Sequence, residues 1–235
     1  MTHSIDTIFF DVGATLRYVV EDKEFAAEAE RQLMELVGST EEHDAFFARL
    51  EKNWKAYRKQ AKTCLLDVSE MELWLQYLLP DYPAERVAPH AARLTRLWRD
   101  HDGRRVVHEG TLETLRELTR RGYKLGIIAN TITETEIPDW MCRDQVADCF
   151  KTVILSSKVR LRKPDPAIWQ LGVDVAQCDA SQCIAVGDSF SKDIIPAHTI
   201  GCQTIWFKGS EWEPKQFDET LPSHIITSLD DILTL

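Results

Sequence analysis

Between about Val19 and His108 apolar residues recur at three- and four-residue spacing, and no strong strand pattern interrupts them. Phe25, Ala29, Leu33, Leu36 and Val37 form one stripe. Phe46, Phe47, Leu50, Trp54 and Tyr57 form a second, and Ser39 and Glu42 precede it at the spacing of a capping box. Ser69 and Glu72 repeat that start signal around Met71, Trp74, Leu75 and Leu78. Pro83 opens a fourth helix with Ala91, Leu94 and Trp98 inward, and Pro89 marks its first turn or a kink. Such stripes are helix packing faces, so Trp54, Trp74 and Trp98 read as core. The stretch predicts an all-helical unit.

The flanking sequence has a different rhythm. Thr7-Ile8-Phe9-Phe10 is an apolar run into Asp11, with Gly13 in the turn that follows. After Gly110 helices and strands alternate. Thr111 to Arg121 is a helix closed by Gly122. Strands are expected at Lys124 to Ala129, Thr152 to Leu155, Cys183 to Val186 and Gln203 to Phe207. Between them fall helices over about Pro138 to Val146, from Asp165 to Gly172, and through His198. Asp165 is a natural N-cap and Pro166 suits the first helical position.

Alternation of this kind predicts a parallel sheet covered by helices on both faces. The expected fold is therefore α/β. A doubly wound, Rossmann-like core, residues 1–18 and 105–235, is split after its first strand by the all-helical insert, residues 19–104.

The 235 residues suffice for such a core and insert, and 44% apolar with 28% charged residues is ordinary for a globular chain. The net charge of −10 argues against nucleic-acid or anionic-membrane partners, which need basic surfaces. It leaves room for a phosphorylated small molecule held by a metal and a few local cations. Six cysteines without a CxxC pair read as buried free thiols in a reducing compartment. No apolar run reaches membrane-spanning length. An apparent strand by Ile5 leaves no room for a signal peptide, so the cytoplasm is the expected location. The oligomeric state leaves no mark on the sequence.

The chemistry gathers at the strand ends. Gly187-Asp188-Ser189-Phe190-Ser191-Lys192-Asp193 follows the apolar Ile184-Ala185-Val186 and sets two carboxylates at the mouth of a strand. Carboxylates that close repel unless something neutralises them, and Mg²⁺ is the simplest candidate. Asp11 would join Asp188 if both strands share a sheet. Ligands of open α/β sheets bind beyond the carboxyl ends of the strands. There Asp11 ends the first strand, Ala129-Asn130-Thr131 the second, Lys163 follows the third and Asp188 ends the fourth. Alone, a strand-end Asp is a turn residue or cap, and Lys163 a solvated lysine. Together they predict a metal-assisted site.

Four stretches carry a family resemblance over nearly the whole chain. They are Phe9-Phe10-Asp11-Val12-Gly13-Ala14-Thr15-Leu16, Ile127-Ile128-Ala129-Asn130, Arg162-Lys163-Pro164-Asp165-Pro166 and Gly187-Asp188 through Asp193. In these the chain resembles the haloacid dehalogenase-like hydrolase superfamily, with the insert where one class carries its mobile cap. The resemblance implies a Mg²⁺-dependent phosphatase of a small phosphorylated metabolite, with Asp11 as the nucleophile that forms an aspartyl-phosphate. It implies Mg²⁺ held by Asp11, the main-chain carbonyl of Gly13 and Asp188, with Asp193 ligating or holding a water. Lys163 would bridge the nucleophile and the phosphoryl oxygens, and main-chain amides around Ala129 and Asn130 would cradle the phosphate.

Two positions depart from the family pattern. The usual second Asp, a general acid and base worth about 10²–10⁴ in rate, is Gly13 here. The usual Ser or Thr ending the second strand is Ala129, which forfeits a hydrogen bond worth about 1.5–3 kcal/mol. Thr131 is a candidate substitute for that hydroxyl, and Tyr18, Glu21 and Asp22 are candidate acids at the cap entrance. Arg160 and Arg162 read as exposed loop arginines. Three alternatives stay open: a metal-free dehalogenase, a phosphonate hydrolase using one of Lys23, Lys52, Lys55, Lys59 or Lys62, and a non-catalytic protein that keeps the metal site.

Overall fold

A computed structural model describes residues 4–208 and 217–235. Residues 1–3 and 209–216, which fall in the expected core segments, lie outside the described residues. The chain opens with β1 (Thr7–Phe10) and β2 (Arg17–Val20), then enters the insert. The insert holds α1 (Lys23–Val37), α2 (His43–Cys64), α3 (Glu70–Glu72) continuing as a π-helical turn over Leu73–Leu78, α4 (Ala84–Val87) and α5 (Ala91–Asp100). After β3 (Arg104–Val107) come α6 (Thr111–Arg120), β4 (Lys124–Ala129), α7 (Glu136–Arg143), β5 (Phe150–Leu155) and α8 (Ser156–Val159). The series closes with α9 (Pro166–Ala176), β6 (Cys183–Gly187), a π-helical turn Phe190–Ile194, α10 (Ile195–Thr199), β7 (Gln203–Phe207) and β8 (His224–Ile226).

Six strands form one parallel sheet in the order β5-β4-β1-β6-β7-β8. Its central strand explains the apolar run: Phe9 and Phe10 point to opposite faces and both are fully buried. Phe10 packs with Ile127, Leu115 and Leu118 on one face, Phe9 with Ile128, Ile168 and Trp169 on the other. A strand covered on both faces has no polar alternation to show. Register then sets the site. Phe10 pairs with Ile127 of β4 and Val186 of β6, so these three strands end almost level. Asp11, Asn130 and Asp188 consequently emerge from one edge.

The cap has its own core around Leu33, Phe46, Leu50, Trp74, Leu94 and Trp98. Trp74 is fully buried and its Nε1 donates to Thr95 Oγ1 at 2.9 Å. The Ser69–Glu72 capping box forms, with Glu72 N donating to Ser69 Oγ and Ser69 N to Glu72 Oε2. The Ser39–Glu42 box does not. Glu42 itself is the N-cap of α2, and Ser39 Oγ instead accepts from Tyr82 Oη at 2.9 Å. Pro83 caps α4, and Pro89 lies in the 3₁₀ turn Ala88–His90 that kinks the chain into α5.

Both passages between core and cap are strands, β2 and β3, paired antiparallel. The expectation of no strong strand between Val19 and His108 overlooks these two four-residue strands at the ends of the insert. Three of the four residues of β2 are exposed, so no buried alternation marks it in the sequence. The thiol expectation holds for Cys149, Cys183 and Cys202, whereas Cys64 and Cys142 are exposed; all six are free. Among the described residues no helix is long and apolar enough to cross a membrane.

Candidate active site

The level strand ends bring Asp11, Asp188 and Asp193 together, with one carboxylate oxygen from each within 4.8 Å of the others. Lys163 comes up between them from the loop before α9. Its Nζ is 2.5 Å from Asp11 Oδ1 and 2.6 Å from Asp193 Oδ1, with the side chain almost wholly buried. Asn130 aims it: the amide Nδ2 donates to Lys163 O and Oδ1 accepts from Lys163 N, each at 2.8 Å. Asn130 thus grips the backbone that carries the lysine.

The acidic groups are held as firmly. Thr15 Oγ1 accepts from Asp188 N at 3.0 Å and donates to Asp188 Oδ1 at 3.3 Å. Trp206 Nε1 donates to the Asp188 carbonyl at 2.9 Å. Asp193 sits in the π-helical turn, a device that recurs at functional sites because it re-aims a side chain. Its Oδ2 accepts from Ser189 N at 3.0 Å. Gly187 makes this fit possible, since a methyl group there would overlap the Asp193 side chain.

Electrostatics leave the site short of positive charge. Burial alone would pull the Lys163 ammonium down, yet Asp11 and Asp193 outweigh it and hold its pKa above the ordinary value. Burial first, then Asp11 and Asp193, pushes Asp188 up to about 7. Burial also raises Asp193, against the pull of Lys163. Three carboxylates thus face one ammonium, a formal excess of two negative charges. Hard oxygen donors with that surplus suit a divalent cation.

The two departures in sequence are now visible in space. Gly13 is exposed, and a Cβ built on it would meet nothing within 4 Å. Ala129 is buried at the end of β4. Thr131 Oγ1 accepts from Thr133 N at 3.2 Å and donates to Thr133 O, and Thr131 lines both cavities at the seam between cap and core. Its own amide donates to Ser156 Oγ at 2.9 Å.

Two cavities open from the seam between cap and core. One, of about 330 Å³, is lined by Gly13, Arg17, Tyr18, Arg99, Asp102 and Asn130 among others. The second, about 210 Å³, shares Arg99, Asp102 and Asn130 and adds Trp54, Arg58, Trp98 and Arg162. Of the three acids expected at the entrance, Tyr18 alone lines the first cavity. Glu21 is within 3.8 Å of Lys23, and Asp22 caps α1 and pairs with Arg104. Asp102, at the end of the cap, was not singled out by sequence. The exposed-loop expectation fails for Arg162, whose side chain is 12% exposed and pairs with buried Asp67 at 2.9 Å. Trp54 and Trp98 pack as expected but also face the cavity.

Beside the cavities, Glu136 of α7 is buried between Arg17 at 2.6 Å and Arg99 at 2.9 Å. Burial works against its charge, but Arg99, Arg17 and Arg105 hold its carboxyl below the usual range. Neither Arg99 nor Glu136 carries a sequence signal, because each reads as an ordinary helix-surface charge.

A family model described as haloacid dehalogenase-like hydrolase matches residues 85–207, more than half of the chain. The chain belongs to this hydrolase family. It is 27% identical over 235 residues to the glyceraldehyde 3-phosphate phosphatase of Pyrococcus furiosus, covering 97% of this chain and 92% of that one. To the glyceraldehyde 3-phosphate phosphatase of Pyrococcus abyssi it is 33% identical over 101 residues, 42% of this chain and 41% of the relative. The 2-haloacid dehalogenase of Pseudomonas syringae pv. Tomato DC3000 shares the fold, with a TM-score of 0.70 over 98% of this chain and 97% of that chain, at 21% identity.

Proposed function

We propose that the protein is a Mg²⁺-dependent phosphatase of a small phosphorylated metabolite, working through an aspartyl-phosphate on Asp11. The observation that carries this reading is the buried Lys163 ammonium bridging Asp11 and Asp193, with the Asp188 carboxylate beside them. Similarity along nearly the whole chain to a glyceraldehyde 3-phosphate phosphatase supports the substrate class.

In this mechanism an Asp11 oxygen attacks phosphorus, the bond from phosphorus to the ester oxygen breaks, and water later hydrolyses the acyl phosphate. Carboxylate catalysis of this kind divides one hard displacement into two easier ones. Lys163 screens the charge of Asp11 from the incoming phosphoryl oxygens. Asn130 fixes the lysine, and main-chain amides around Ala129 and Asn130 cradle the phosphate. Asp11, Asp188 and the Gly13 carbonyl would hold Mg²⁺, with Asp193 in support; when bound it neutralises the phosphoryl charge and aligns it.

With Gly13 in place of an acid, the leaving oxygen draws no proton from that position. The barrier rises by roughly 3–5 kcal/mol, and esters with good leaving groups are favoured. Tyr18 and Asp102 line the cavity together with Gly13.

A second reading, carbon–halogen hydrolysis, draws on the missing carboxylate at Gly13. Against it stands the surplus negative charge of Asp188 and Asp193, which a metal-free reaction does not need. One assay separates the two: phosphate release from an aryl phosphate and a panel of phosphorylated metabolites, with and without Mg²⁺, beside halide release from 2-haloacids. Mg²⁺-dependent phosphate release that disappears in Asp11→Asn is the expected result. Halide release without phosphate release would replace the phosphatase reading, and neither activity from folded, Mg²⁺-binding protein would make it a non-catalytic member.

A further inference from the structure

Three arginines and two carboxylates line the smaller seam cavity. Arg58 and Arg99 reach it from the cap and Arg162 from the core loop before Lys163. Its two carboxylates are already committed. Asp67 accepts from Arg162 Nη1 at 2.9 Å and Tyr57 Oη at 3.0 Å, and Asp102 pairs with Arg105. The Nε atoms of Arg99 and Arg162 are buried with no hydrogen-bond partner among the described residues. Arg58 has no carboxylate within ion-pair distance among those residues; its guanidinium lies 5.5 Å from the Trp54 ring centroid.

The cations also crowd one another. Lys62 lies one turn beyond Arg58 on α2, a like-charge spacing that helices avoid without a reason. The Lys62 ammonium is pulled below its ordinary pKa by Arg58 foremost, then by burial, Lys192 and Arg162. Beside the cap–core ion pairs Arg162–Asp67 and Arg99–Glu136, the seam thus also turns Arg58 and Lys62 of the cap toward Arg162 and Lys192 of the core, on a chain whose net charge is −10. An anion placed between them removes that repulsion. Guanidinium forks match carboxylate and phosphate oxygens equally well. The volume of about 210 Å³ sits below the range of about 300–1,000 Å³ typical of larger ligands, which favours a compact metabolite over a nucleotide.

We propose that this cavity is a second oxyanion subsite, so that the substrate is a small phosphate ester bearing a further acidic group clamped between Arg58 of the cap and Arg162 of the core. The proposal rests on the phosphatase reading for the role of the first phosphate. A bound dianion draws cap and core together, and the acid-bearing substrate assembles its own closed site.

The test uses the full chain as Asp11→Asn with Mg²⁺, so that ligands bind without turnover. Titration calorimetry compares short alkyl phosphates of matched length that end in a methyl group, a carboxylate or a second phosphate. The acid-ended esters should bind about tenfold tighter or more. Adding Arg58→Met should collapse that ratio toward one, and Arg58→Lys should restore part of it. Preference for only one acid-ended ester would identify the oxyanion as carboxylate or phosphate. Equal affinity for methyl- and acid-ended esters, or a preference that Arg58→Met leaves intact, would overturn the subsite. Phosphate release by the wild-type chain is read in parallel. Preference in binding without any release would retain the subsite and reject the phosphatase, whereas release without preference would do the reverse.

Discussion

Arg99 Nη2 lies 2.9 Å from Glu136 Oε2, joining the last helix of the cap to the first turn of α7 in the core. Arg17, at the head of one connecting strand, takes the other oxygen of Glu136 at 2.6 Å. One buried carboxylate therefore ties together the cap, the hinge and the core. Removing one member of a buried ion cluster leaves the rest unpaired in a poor solvent for charge, at a cost of about 3–5 kcal/mol. Glu136→Gln keeps the shape and removes the charge. We expect that loss in the urea midpoint, together with faster proteolysis at the connections between cap and core. A variant within about 1 kcal/mol of wild type would show that the arginines find other partners.

The same residue gives stability a pH dependence with a definite sign. The folded-state pKa of Glu136 lies below its ordinary value of 4.5, because three arginines outweigh the effect of burial. Between the two values the unfolded chain binds more protons than the native one, so stability rises with pH there. The contribution is complete above about 4.5 and is lost as pH falls through the folded pKa. The difference in stability between wild type and Glu136→Gln should shrink as the solution is acidified below 4.5 and stay constant from there toward neutrality. A difference that grows on acidification contradicts the assignment.

How much of this was legible beforehand depended on whether a residue's surroundings are set locally. Asp11 and Asp188 end apolar runs, and parallel register alone brings such ends level, so their meeting could be read from the chain. Asp165 at the start of α9 was equally plain, because a cap is a contact within one turn. Glu136 and Arg99 could not be read, since their burial exists only once the cap is seated on the core. Arg162 was misread for the same reason, as its partner Asp67 belongs to the cap. The β2–β3 pair escaped because its residues are largely exposed and the pairing spans the whole insert. Ser39 had the right spacing for a capping box but was claimed by Tyr82, a contact no local pattern announces.

Metal binding should register as stability. Asp11, Asp188 and Asp193 bring two more negative charges than Lys163 neutralises, and a cation that binds only the folded state stabilises it. At a hundredfold excess over Kd, Mg²⁺ should raise Tm by on the order of 5–10 °C for a chain of this size. Asp188→Asn removes a ligand and a negative charge together, so it should raise the metal-free Tm while erasing most of the Mg²⁺-dependent rise. A full Mg²⁺ response in that variant would move the metal site elsewhere.

Gly187 offers a test of how tightly the site is built. It lies inside β6 with no unusual backbone demand, yet a Cβ there would run into the Asp193 side chain. Gly187→Ala should therefore displace Asp193 from Lys163 and Ser189. We expect kcat to fall by about 10²-fold, the scale on which misplacing a catalytic group by an ångström acts, with a smaller loss of Tm. Undiminished turnover would mean that the π-helical turn carrying Asp193 gives way without consequence.

Gly13 faces open space, and its backbone lies outside the left-handed region, so a side chain there meets neither a clash nor strain. It follows Asp11 by two residues on the wall of the larger seam cavity, where our proposed mechanism lacks a proton donor. Gly13→Asp should supply the acid for the leaving oxygen and then the base for the attacking water. Acid–base assistance of that kind is worth about 10²–10⁴ in rate. The gain should be largest for esters with poor leaving groups and small for aryl phosphates, whose oxygen departs unaided. Intact-mass spectrometry during turnover adds a second readout. Without a base to activate water, wild-type protein should accumulate a species heavier by one phosphoryl group, and Gly13→Asp should reduce it. If the variant folds and binds Mg²⁺ but gains nothing on alkyl esters, then another group, with Tyr18 and Asp102 the first to examine, already moves the proton.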